Sequence, residues 1–199
     1  MELPVRESPG CLGKRVDITL IIAHNTPMEL LQREQILAAL DALNTHLEKM
    51  GLHAQLNIIG GTVMCLVYQA RASTRDVDAW FTEAGAVRKA ASLVASDLEL
   101  PEDWLNDAAK AFIPSNAKFE RWRSFSNLDI LVADAHSLLA MKCAAARSTE
   151  DAEDIRFLAN FLGLRSEQEV MDVVLLYYPI DRLTIRVQLL LEEIFDDGA

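Results

Sequence analysis

Two short stretches of this chain carry residue types and spacings that chemistry can use. The first is Gly60-Gly61-Thr62, which closes an apolar run and opens another. Adjacent glycines let backbone N–H groups come close to a phosphate, and a helix starting there favours negative charge. The second is Asp76-Val77-Asp78, set in a strand-like segment, DVDAWF. Side chains alternate along a strand, so Asp76 and Asp78 share one face while Val77 points into the core. Two carboxylates on one face make a hard-oxygen site suited to Mg²⁺, which binds a few carboxylates together with substrate phosphates.

Elements that position these residues are readable from periodicity. Residues 1–26 divide into a Pro-, Gly- and charge-bearing leader over 1–14 and an apolar strand or arm at VDITLIIA, 16–23. Pro27 then opens a long amphipathic helix through Leu30, Leu31, Ile36, Leu37, Leu40, Leu43 and Leu47, ended by Gly51 as C-cap. His53 to Ile59 is strand-like, Thr62 to Gln69 a short apolar helix, and 71–75 a polar turn before the acidic strand, 76–81. A helix follows over 84–98, and Pro101 starts another, PEDWLNDAAKAF, at its preferred first-turn position. LDILV, 128–132, is a third strand, and helices are expected over 135–147, 149–162, 166–177 and 181–195. Asp134 and Ser148 suit N-caps and Gly163 a C-cap. The fold class is α/β (α+β): a small mixed sheet flanked by helices over 27–133, with a helical C-terminal region, 134–199, packed on it.

The quoted motifs carry a resemblance. GGTVMCLVYQARASTRDVDAW (60–80) resembles the signature of the nucleotidyltransferase superfamily, a Gly-Gly turn followed by Asp-x-Asp. Together with LLAMKCAAARSTEDAEDIRFL (138–158) it is similar to uncharacterised bacterial nucleotidyltransferase-like families related to AbiEii-type toxins, across roughly residues 30–160. The resemblance implies Mg²⁺-dependent transfer of a nucleoside monophosphate from an NTP to an acceptor, an RNA end or a protein. Gly60, Gly61 and Thr62 would seat phosphates, and Arg71, Thr74 and Arg75, beside Ser73, would touch them. Asp76 and Asp78 would hold the metal, with Asp129 as third carboxylate or base for the acceptor's proton. Lys142, with Asp151 and Asp154, answers to the families' Lys-plus-Asp helical motif and, as a catalytic residue, would neutralise phosphate charge.

Each residue also has a plainer reading. Asp129 sits where a surface-facing strand residue is ordinary, Lys142 can be a solvated helix lysine, and Asp151 and Asp154 suit a helix's first turns for its dipole alone. Lys118 to Arg123 is either a basic-aromatic patch or a solvated loop. A net charge of −11 disfavours an extensive nucleic-acid surface. The widely spaced Cys11, Cys65 and Cys143 fit neither a disulfide framework nor a zinc knuckle and point to a reducing, cytoplasmic setting. Cys65 and Cys143 are expected as buried thiols. His24, His46, His53 and His136 form no ligand pair, no apolar run reaches membrane-spanning length, and no secretory signal opens the chain. A second function stays open: a non-catalytic interaction protein on the same fold, one component of a toxin–antitoxin or defence pair, with the apolar C-terminal helices offering a protein-binding surface.

Overall fold

A computed structural model of the chain describes residues 30–145 and 149–196. The leader, the 16–23 arm, Cys11, His24, Pro27 and the Ser148 cap lie outside the described residues.

The elements run β1 (Leu31–Gln32), α1 (Arg33–Lys49), β2 (Ala54–Ile58), α2 (Gly60–Leu66), β3 (Ser73–Thr74), β4 (Val77–Phe81) and α3 (Ala84–Asp97). Then come β5 (Leu105–Asn106), a 3₁₀ turn (Ala108–Phe112), β6 (Phe119–Ser124) and β7 (Leu128–Ala133). The helices α4 (Ala135–Ala145), α5 (Thr149–Leu162), α6 (Glu167–Tyr177) and α7 (Ile185–Asp196) complete it, with a 3₁₀ turn at Ile180–Arg182. The class is α+β: among the described residues, a mixed five-stranded sheet, a two-stranded sheet and a helical C-terminal part. No helix among the described residues is long and apolar enough to cross a membrane.

The main sheet has the order β5-β4-β2-β7-β6. β2 is central, antiparallel to β4 and parallel to β7. Register and alternation divide the sheet's residues into two sets. Leu56, Ile58, Val77, Ala79, Phe81, Leu128, Ile130 and Val132 are buried in one core with Ile36, Leu40, Leu43 and Leu47 of α1 and Val87, Ala90 and Val94 of α3. Gln55, Asp78, Trp80, Asp129 and Leu131 belong to the other face and are half-exposed. A buried Asn57 crosses that face, its amide donating to the Trp80 carbonyl at 3.3 Å. His46 and Asp97 meet at 2.8 Å and tie α1 to α3. In the C-terminal part Leu138, Leu139, Cys143, Ile155, Leu158, Val170, Val174 and Leu191 are fully buried, and α4 reaches back to α2.

Several expectations need correction. The helix expected from Pro27 begins only at Arg33. Leu31 and Gln32 instead pair antiparallel with Thr74 and Ser73, and Leu31 is buried. Gln35 accepts the Gln32 backbone N–H at 2.8 Å, which starts α1 there. The short apolar helix sits two residues earlier than expected, at Gly60–Leu66. PEDWLNDAAKAF is not an α-helix. Trp104 is fully buried, its indole N–H donating to the Ala91 carbonyl at 3.0 Å, and Leu105–Asn106 adds in parallel to the edge of β4. Lys118 to Arg123 is mostly β6, a strand bulged between Arg121 and Arg123, rather than a loop. The last helix begins at Ile185, not Asp181. The cap expectations within the described residues hold: Gly51 and Gly163 have φ of +66° and +75° at helix ends, and Asp134 Oδ1 accepts the Ser137 N–H at 2.7 Å.

Candidate active site

The end of β2 and the start of β4 are pressed together, and this explains the two glycines. The Ile59 N–H donates to the Asp78 carbonyl at 2.9 Å. Gly60 has φ of +69°, and a Cβ there would stand 3.2 Å from Asp78 Oδ2. A Cβ on Gly61 would come 2.7 Å from Thr74 Oγ1 and 3.2 Å from Arg71 Nη1. Thr62 is fully buried, and its hydroxyl donates to the Asp76 carbonyl at 2.8 Å; the Thr74 hydroxyl reaches the same carbonyl at 3.4 Å. The Thr62 side chain is therefore a clasp between the glycine turn and the acidic strand. Its hydroxyl is thus engaged within the fold.

Asp76 and Asp78 lie side by side, as strand alternation requires. The Asp78 carboxyl is pushed up to about 6, first by burial and then by the neighbouring Asp76 charge, with Lys142 and Asn106 pulling the other way. Asp76 is also raised, again first by burial, against a hydrogen bond from Asn106 and the field of Arg75. Asn106 Nδ2 donates to Asp76 Oδ2 at 2.9 Å. Sequence reasoning missed Asn106 because it fell within a segment with helical signals.

The second motif comes to the same place. Lys142 Nζ stands 3.0 Å from Asp151 Oδ1 and 2.7 Å from Asp154 Oδ2. The latter is a charge pair without the alignment of a hydrogen bond. Arg71 Nε donates to Asp154 Oδ1 at 2.8 Å. Asp154 is 2% exposed, so a buried carboxylate bridges Lys142 of α4 and Arg71 of the turn before β3. Asp151 and Asp154 are thus more than helix-start acids. Beside this bridge opens a cleft of about 570 Å³ lined by Gly61, Ala70 to Asp76 and Glu153, with Leu30 at its rim. Arg75 is exposed there, and Ser73 and Arg71 also line it.

Asp129 does not join them. It pairs with Gln55 at the start of β2, whereas Asp78 bonds Ile59 at the far end. Four strand residues and two inter-strand spacings put the two Cα atoms about 16 Å apart. Asp129 instead accepts from the Ser124 hydroxyl at 2.6 Å and Arg121 at 2.8 Å, with His53 Nε2 at 3.2 Å. The Ser124 bond first, then His53 and Arg121, hold its carboxyl below the usual range. Register places Leu131 and Ala133 on that face of β7 nearer the acidic pair, and neither can hold a metal. Among the described residues no group of three His, Cys, Asp or Glu side chains is gathered to hold a metal. Cys65 and Cys143 are buried free thiols as expected, Cys143 pushed up to about 12 by burial, so neither offers a thiolate.

No protein-family model matches this chain, no curated protein matches it, and no solved structure matches it.

Proposed function

We propose that this protein is a Mg²⁺-dependent nucleotidyltransferase, moving a nucleoside monophosphate from an NTP to an acceptor hydroxyl. The carrying observation is convergence: Gly60-Gly61, Asp76/Asp78 and the Lys142–Asp154–Arg71 bridge come from separate stretches of the chain and neighbour one another beside one cleft, which Gly61, Asp76 and Arg71 line. The residues fit the ion in kind. Two half-buried carboxylates, both raised first by burial and Asp78 further by the Asp76 charge, are a pair a divalent cation relieves, and Mg²⁺ commonly takes one or two carboxylates with phosphate oxygens completing its shell. When bound, Mg²⁺ supplies Lewis-acid stabilisation of charge on the phosphoryl oxygens.

The chain's own residues have distinct tasks in this reading. Asp76 and Asp78 hold the cation, and Asn106 orients Asp76. Gly60 and Gly61 keep the turn bare so that phosphate can approach the backbone. Arg75, exposed on the cleft, meets the triphosphate together with Ser73 and Arg71. Lys142 acts through its field on Asp78 and by locking α4 and α5 against the turn. Asp129 takes no part, so the acceptor's proton leaves by a route that does not involve it. The resemblance makes an RNA end or a protein the acceptor, and the buried unpaired thiols suit a cytoplasmic setting.

A second reading has its own support: the exposed apolar residues on α6 and α7, beside an acidic pair that no third carboxylate joins among the described residues, suit a non-catalytic interaction protein of a toxin–antitoxin or defence pair. Calorimetric titration of ATP, GTP, CTP and UTP with Mg²⁺ separates the two, using wild type and the Asp76→Ala/Asp78→Ala double variant. Metal-dependent binding lost in the double variant supports the enzyme. A folded wild type that binds no NTP abandons it.

A further inference from the structure

α7 meets the rest of the fold with one face. Val187, Leu191 and Ile194 are buried, whereas Ile185 and Leu189, on the opposite face, are 69% and 57% exposed. One helical turn separates these two, so they form an apolar stripe in water. Single exposed leucines are ordinary; the charge pattern around this stripe is not. Arg186 sits in the first turn, and Glu192, Glu193 and Asp196 in the last, all exposed. Both ends carry the wrong sign for the helix's own dipole. Glu192 and Asp196, four apart, repel each other. Among the described residues none of these four charges enters an ion pair. An isolated helix is weakened by this order; an antiparallel copy of the same helix turns it to advantage.

We propose that the exposed face of α7 is the seam of a symmetric dimer, the helix packing antiparallel against α7 of a second copy about a two-fold axis beside Leu189. At 3.6 residues per turn Arg186 and Glu193 flank Leu189 on the same side of the stripe, one before it and one after. The two-fold therefore sets each Arg186 beside Glu193 of the second copy, and each acidic last turn beside the partner helix's N-terminus. Leu189 meets its own equivalent, and Ile185 lies over the methylenes of Glu192 of the second copy. This charge complementarity is specific to an antiparallel self-pair, which is why the occupant is a second copy rather than an unrelated apolar segment. The seam is about 18 Å long. That places it among small interfaces with dissociation constants of micromolar order.

The test is sedimentation velocity of the full chain from about 1 to 200 µM, a range that brackets micromolar association. Wild type is expected to pass from monomer to dimer. Arg186→Glu and Glu193→Arg each set like charges across the seam and should weaken the dimer at least about tenfold. The double variant Arg186→Glu/Glu193→Arg should recover to within about threefold, and an equimolar mixture of the two single variants should form a heterodimer. Circular dichroism and the urea midpoint of each variant report that it is folded. A wild type that stays monomeric throughout overturns the proposal and leaves the face to a different protein. A dimer indifferent to both charge reversals overturns it as well, since the contact then lies elsewhere.

Discussion

Replacing Asp78 with Asn should make the metal-free protein more stable at neutral pH, and the size of the gain follows from the site. The Asp78 carboxyl titrates at about 6 in the folded chain, raised first by burial and second by Asp76. In the unfolded chain it titrates near its ordinary value of about 3.9. A carboxyl whose folded pKa is raised favours folding while protonated. That contribution is full below about pH 3.9 and is lost as pH rises through 6. The raised pKa consequently costs about 3 kcal/mol at pH 7, where Asp78 is ionised, and about 1 kcal/mol at pH 4.5, where the folded carboxyl is protonated. Asn keeps the shape and carries no charge, so Asp78→Asn should raise urea-unfolding stability by about 2 to 3 kcal/mol at pH 7 and by less than about 1 at pH 4.5. Urea titrations with EDTA at both values measure it. With Mg²⁺ and nucleotide added, wild type should regain stability and the variant should not. A neutral or destabilising effect at pH 7, or a gain independent of pH, would refute the view that Asp78 is held ionised against its surroundings.

Three further outcomes are expected. Asp154→Asn removes the charge that both Lys142 and Arg71 face from within the fold and should cost about 3 to 5 kcal/mol in urea unfolding. Gly61→Ala sets a Cβ against Thr74 Oγ1 and should cost about 1 to 3 kcal/mol. Adding Thr74→Ala removes the obstructing hydroxyl, so the double variant should be less destabilised than the sum of the singles. Asp129→Asn should change Mg²⁺-dependent nucleotide affinity by less than about twofold, since Asp129 stands about 16 Å from Asp78; a loss of tenfold or more would restore it to the metal site.

What was legible in the sequence is local. Helices α1, α3 and the C-terminal four announce themselves by apolar spacing, and Asp76/Asp78 by strand alternation. Pairing across the chain was not legible. Leu31–Gln32 read as helix because leucines continue the spacing of α1, yet a two-residue ladder with Ser73–Thr74 takes them. Leu105–Asn106 read as helix because Pro101 and two acids imitate a first turn, while the open edge of β4 and the buried Trp104 decide otherwise. β6 was obscured by its charges, which belong to an edge strand with its outer side in water. Asp129 was the third ligand that the resemblance implied, and alternation gives a residue's face but not its position along the strand. Register, which depends on β2, put it at the wrong end. For the same reason the Asp154 bridge to Arg71 could not be read from either segment alone.

That bridge has a consequence for the order of events during synthesis. Arg71 and Asp154 are separated by 83 residues, and closing so long a loop is slow compared with making local helices. On a ribosome emitting the chain from its N-terminus, the glycine turn and the acidic strand emerge well before α5 supplies its carboxylate. A nascent or prematurely terminated chain thus carries Asp76 and Asp78 without the counterweight that fastens the turn beside them. The cleft is completed only once α5 has emerged, so a fragment that stops short of α5 lacks the bridge on which any activity of the cleft depends.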